Sequence, residues 1–236
     1  MSKKPIALLG VLVLALFGCT KPSNRAATIK PSEPPEKVAS DSELQAGLLT
    51  VQDLPTGWSP KPAESPSPTP SSTSSATPEC TKTLIRKAET PAYVETSFQK
   101  SEFHQLSQLL ISFKSRNEAK SKFKELEARS QRCQSWTEED AESSSKYSLA
   151  PLSFPNLGDE TLAFKMKGEY KSKPGSDEDF NLELTGSADA DIVVIRLGKL
   201  FIVIAHQAVS LFEPATVDSK ETETISRKAV ERAKAI

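Results

Sequence analysis

Asp191-Ile192-Val193-Val194-Ile195-Arg196-Leu197-Gly198-Lys199-Leu200-Phe201-Ile202-Val203-Ile204-Ala205-His206 is the stretch whose reading decides the fold. Two runs rich in β-branched residues flank Gly198-Lys199, a two-residue connection with glycine first, which is the signature of an antiparallel hairpin. The strands are Asp191 to Leu197 and Leu200 to His206. The run is also the longest apolar stretch after the first twenty residues, and Arg196, Gly198 and Lys199 interrupt it, so it cannot span a bilayer.

Outward from this hairpin the pattern alternates between strand and helix. Ala92 to Phe98 alternates in strand fashion, and Leu109, Ile111 and Phe113 continue in a second strand. Ser115 caps a helix from Arg116 to Cys133 whose Ala119, Phe123, Leu126 and Cys133 share one face. After a polar link that includes Glu138 to Lys146, further strands are expected at Tyr147 to Leu152, Thr161 to Lys167 and Phe180 to Leu184. Thr216 or Asp218 caps a last helix running to the C-terminus, with Ile225, Ala229, Ala233 and Ile236 on one face. Ser40-Asp41-Ser42-Glu43 starts a short helix carrying Leu44, and Thr50 to Trp58 reads as a capped turn ended by Pro55-Thr56-Gly57. The fold class expected is α+β: a single domain over 40–236, a mostly antiparallel twisted sheet with two or three flanking helices on one side, and one disulfide. Within it 59–79, where 16 of 21 residues are Pro, Ser or Thr, is expected to be a disordered loop.

The chain opens Met1-Ser2-Lys3-Lys4, followed by an apolar run from Pro5 to Gly18 and then Cys19. A positive start, a short apolar stretch and a small residue before the cut are the parts of a secretory signal. Leu16-Phe17-Gly18-Cys19 resembles the bacterial lipobox, although Phe17 stands where that pattern has a small or β-branched residue. The resemblance implies that 1–18 is a lipoprotein signal peptide and that Cys19 carries the lipid. Residues 19–39 then form a Pro-, Ser- and Lys-rich tether. Two acyl chains suffice for stable anchoring, so the membrane itself is a partner, on its extracytoplasmic face.

Thirty basic residues balance 31 acidic ones, which leaves no field for nucleic acid. In an exported chain the two remaining cysteines, Cys80 and Cys133, read as one disulfide, worth roughly 4 kcal/mol on the chain-entropy account. No metal site is expected: there is no C-x-x-C or H-E-x-x-H, and His104 and His206, far apart in sequence, read as strand residues. No cofactor is implied. No G-x-S-x-G elbow is present. Asp159-Glu160 reads as a turn whose two side chains point to opposite faces, and Arg196 as an outward-facing strand residue, with pairing to a buried carboxylate or a ligand anion as the alternative.

Leu48-Leu49-Thr50 with Asp53-Leu54-Pro55-Thr56-Gly57-Trp58, the cysteine pair bracketing two strands and a helix, Leu157-Gly158-Asp159-Glu160, and Ile192 to Gly198 followed by an apolar strand together resemble the sensor-like domain of actinobacterial lipoproteins and serine/threonine kinases. That resemblance implies a twisted sheet packed with helices and an extracytoplasmic, non-catalytic sensing or binding role, with an envelope lipid, a glycan or a membrane protein as partner and no assigned ligand residues. A cell-envelope hydrolase and a ligand-free scaffold are the alternatives.

Overall fold

A computed structural model describes residues 38–61, 92–139, 143–172, 185–211 and 213–236. Along the chain come α1 (Asp41–Ala46), a 3-10 turn at Val51–Asp53, β1 (Ser59–Pro60), β2 (Ala92–Ser101), β3 (His104–Ser112), α2 (Arg116–Arg132), β4 (Ser135–Glu139), β5 (Ser143–Pro151), β6 (Glu160–Ser172), β7 (Thr185–Leu197), β8 (Leu200–Ser210) and α3 (Ser219–Ala233). The strands make one antiparallel sheet in the order β1-β2-β3-β8-β7-β6-β5-β4. The expected hairpin lies at its centre. Leu197 pairs with Leu200, and Gly198 takes φ 60°, a left-handed conformation that glycine adopts without a Cβ clash.

The central strands are buried on both faces. On one face Leu106, Leu110, Val193, Ile195, Ile202 and Ile204 pack with Leu44 of α1 and with Ile225, Ala229 and Ala233 of α3. On the other, Ile111, Phe113, Val194 and Phe201 pack with Ala119, Phe123 and Leu126 of α2. Phe113 and Phe123 meet Phe201 edge-on, with centroids 4.7 and 5.8 Å away. The expectation of helices on one side is therefore corrected. The physical reason is legible in the opening stretch, because a strand covered on both faces reads as a continuous apolar run, while one-sided burial gives alternation.

Helix starts fall where capping chemistry puts them. Ser40 and Glu43 form a reciprocal capping box, Ser115 accepts from Glu118 N–H, and Asp218 accepts from Lys220 N–H. The last helix stops at Ala233, so Ile236 lies beyond it. The expected polar link over 138–146 is in large part strand: β4 and β5 pair Trp136 with Tyr147 and Glu139 with Ser144. Charged and serine side chains are acceptable there because this is the edge of the sheet, where one side faces water. Strand β6 runs beyond the expected Thr161 to Lys167 in both directions. At the start of the expected loop, Ser59–Pro60 pairs with β2 instead. From residue 62 on, that loop falls outside the described residues, as does the expected strand Phe180 to Leu184.

Candidate functional site

Two histidines far apart in sequence meet in the fold. His104 opens β3 and His206 lies on β8, and because β3 pairs with β8 both rings project onto the α3 face. Their Nε2 atoms are 2.7 Å apart, the ring planes differ by 10° and the centroids are 4.9 Å apart. Rings lying face to face could not hold those two nitrogens so close at that centroid spacing; they lie end to end, in nearly one plane, joined by a single N–H···N bond. His206 is wholly buried.

The neighbours fix which nitrogen carries the proton. Thr222 Oγ1 donates to Asp191 Oδ2 at 2.8 Å, so its oxygen accepts the hydrogen of His206 Nδ1, also at 2.8 Å. His206 Nε2 is then left with a lone pair, and His104 Nε2–H donates to it. Asp191 Oδ1 meets Lys165 Nζ at 2.5 Å, and Asp189 Oδ2 accepts from Val217 N–H at 2.8 Å. Trp58 leans edge-on against both rings, at 5.5 and 5.4 Å, and its Nε1–H donates to Glu221 Oε1 at 3.0 Å. Lys100 binds both oxygens of Glu221 at 2.7 Å and sits 5.1 Å from the Trp58 ring centre.

Burial, then the proximity of His104, pushes His206 down to about 4, although Glu221 and Asp191 pull the other way. Burial followed by Lys100 lowers His104. Burial alone would raise Glu221, but the bonds from Lys100 and Trp58 outweigh it and hold this carboxyl below its usual range. The set contains an imidazole, a hydroxyl and a carboxylate, but the hydroxyl stands between the other two and spends its hydrogen on the carboxylate. A nucleophile–base–orienter relay needs the imidazole in the middle.

A second polar cluster sits by the central hairpin. Arg196 is nearly buried; its Nε donates to Glu160 Oε2 at 2.5 Å and its Nη1 to Asp159 Oδ2 and the Gly198 carbonyl, each at 3.0 Å. Asp159 Oδ2 also accepts from Gly198 N–H at 2.8 Å. The outward-facing reading of Arg196 is corrected, and so is the divergence of Asp159 and Glu160. Strand alternation does not govern them, because Asp159 lies in the bend before β6 and only Glu160 is in the strand. The guanidinium fork pins that bend to the hairpin turn.

The α2 face has a different second half. Trp136, Tyr147, Gly168, Ala188 and Val209 form one cross-strand row from β4 to β8. Trp136 and Tyr147 stack at 5.2 Å and 23°. Tyr147 lies across Gly168, where a Cβ would stand 3.1 Å from the ring, so a larger residue would push the ring back by a few tenths of an ångström. Tyr170, Val209 and Leu211 are about two-fifths exposed beside this row. Helix α2 packs on the other half, under Val194 and Phe201, and among the described residues no helix covers this one. A cavity of about 360 Å³ opens at the same end of the sheet, between the ends of β6, β7 and β8 and residues 213–215.

Of the residues singled out in the sequence, Cys133 is buried at the end of α2, where its N–H donates to the Arg129 and Ser130 carbonyls. Cys19 and Cys80 fall outside the described residues. No group of three metal-ligating side chains occurs among the described residues, and no helix among them is long and apolar enough to cross a membrane. Neither the histidine pair nor the aromatic row was found from sequence. The only signal for them was strand register: once β3, β8 and β4, β5 are aligned, those residues become neighbours.

No protein-family model matches the chain, and no curated protein is similar to it in sequence. Among solved structures, the chain is similar in fold to the extracellular domain of PknH from Mycobacterium tuberculosis, with a TM-score of 0.52 and 8% identity, covering 85% of this chain and 99% of that one. The likeness is one of fold; among the described residues this chain has one antiparallel sheet of eight strands with three α-helices.

Proposed function

We propose that the chain is a lipid-anchored extracytoplasmic protein whose sheet-and-helix domain is a non-catalytic, sensor-like binding module. The helix-free half of the α2 face carries this reading. The half-buried Trp136–Tyr147 stack in its cross-strand row, with Tyr170, Val209 and Leu211 about two-fifths exposed around it, makes an apolar patch of the kind that marks a binding surface. The ligand class is an envelope lipid or glycan, or a segment of a membrane protein. The fold likeness to an extracellular domain supports the location, as does the signal-like start of the chain. The proposed module further has residues 1–18 removed, the lipid on Cys19, and Cys80 joined to Cys133, which would tie the end of α2 to the segment before β2. The order of hydroxyl, imidazole and carboxylate at Thr222 argues against the hydrolase.

Two experiments test the two halves of this reading. Fatty-acid labelling in cells should be present in the native chain and absent in Cys19→Ser; a labelled variant contradicts the anchor. Titrating the chain with envelope lipids and glycans should change tryptophan emission, and Trp136→Phe should remove that change. An equal response in the variant, or none in either chain, contradicts the binding surface.

A further inference from the structure

We infer that the end-to-end pair His104–His206 is an acid-operated latch, in which the neutral pair holds Trp58 and its turn against α3 and a proton added to His206 releases them. His206 Nδ1–H is committed to Thr222, and its Nε2 lone pair to His104. A proton on His206 Nε2 would set two N–H donors against each other at 2.7 Å, and one ring must leave. His206 is fully buried and held from its far side, whereas His104 is partly exposed and next to the two-residue turn at 102–103, so His104 moves. Its departure withdraws one of the two rings that support Trp58.

The charges packed around the pair are set to hold the latch shut. From β2, Lys100 repels added positive charge. From α3, Glu221 would attract it but is bound to Lys100 and Trp58. From β7, Asp191 is bound to Thr222 and Lys165, and Asp189 accepts from Val217 and lies 3.4 Å from Lys165 of β6. The burial that holds His206 down to about 4 means that the latch opens in acid, below the ordinary imidazole range. This inference rests on the extracytoplasmic reading for its use, since a domain outside the cell meets the acidity of the medium directly; the latch itself is a property of the purified chain.

The test follows Trp58 emission in the full chain carrying Trp136→Phe, from about pH 7.5 to about 3.5, with far-ultraviolet circular dichroism recorded alongside. The expected result is a single transition in emission below the imidazole range, with the dichroism unchanged. His206→Gln should abolish it. His104→Gln should suppress it, because an amide can turn its oxygen toward the new N–H, so that no donor clash forces a side chain out. No emission change in the parent, or the same transition in His206→Gln, overturns the latch. If His206→Gln fails to fold, His104→Gln decides, and an unchanged transition in that variant overturns the latch. Loss of Cys19 labelling or of ligand response leaves these outcomes unaffected, so the latch and the anchored-module reading fail separately.

Discussion

The two faces of this sheet solve burial in opposite ways. Under α3, His206, Asp191, Thr222 and Gln108 are fully buried beside Ile202 and Val193, and polar groups are tolerated because hydrogen bonds and ion pairs satisfy most of them. On the α2 face the covered half is a cluster of phenylalanines and aliphatics, and the other half leaves Tyr170, Val209 and Leu211 about two-fifths exposed beside the half-buried Trp136–Tyr147 stack. The difference separates roles. At neutral pH the α3 face holds the molecule in one conformation, and the proposed binding surface lies on the far half of the α2 face.

That comparison is broken most severely by Phe201→Ala. Phe201 is buried between Phe113 and Phe123, so the substitution should cost about 3 to 5 kcal/mol through lost contacts and a cavity, read as a lower urea midpoint. A cost near zero would mean that α2 does not seal its half of the face.

Acid weakens the α3 face next. The folded-state value of His206, about 4, lies below the unfolded value near 6.5, so folding favours the neutral ring. The stabilisation is complete above about pH 6.5, declines as the pH falls toward 4 because the unfolded chain takes up the proton first, and levels off below that. The loss should be roughly 3 kcal/mol across that window, measured by urea unfolding at each pH. His206→Gln should flatten this part of the profile.

The smallest effect is expected on the open half. Tyr170→Ser and Leu211→Ser should change stability by about 1 kcal/mol or less, since both side chains are about two-fifths exposed. A cost above about 2 kcal/mol would show these residues to be packed, and the surface to be occupied within the chain.

Much of the fold was legible because local chemistry and global fold agree. The Gly198-Lys199 turn, the caps at Ser40, Ser115 and Asp218, and the α2 face of Ala119, Phe123 and Leu126 all appear where periodicity and capping put them. The edge strand β4 was not legible, nor was the first half of β5, although Tyr147 to Leu152 read as strand. Ser135–Glu139 and residues 143–146 carry serine, lysine and glutamate, since water meets one side of them, and so they read as a link. The sites were hidden for a related reason. His104 and His206, or Trp136 and Tyr147, become partners only through register, which is set by pairings across the whole sheet. Arg196 was misread because alternation predicts the direction of a strand side chain, and the carboxylates that draw it in come from the neighbouring strand and the bend before it.

The central claim is that the helix-free half of the α2 face is where this module meets its ligand. Backbone amide NMR of the isotope-labelled chain, titrated with envelope lipid and glycan fractions, tests it most directly. The account predicts concentration-dependent shifts gathered at Trp136, Tyr147, Gly168, Tyr170, Val209 and Leu211, with the amides of α1 and α3 unmoved. Shifts centred on α1 and α3, with that row silent, would contradict it.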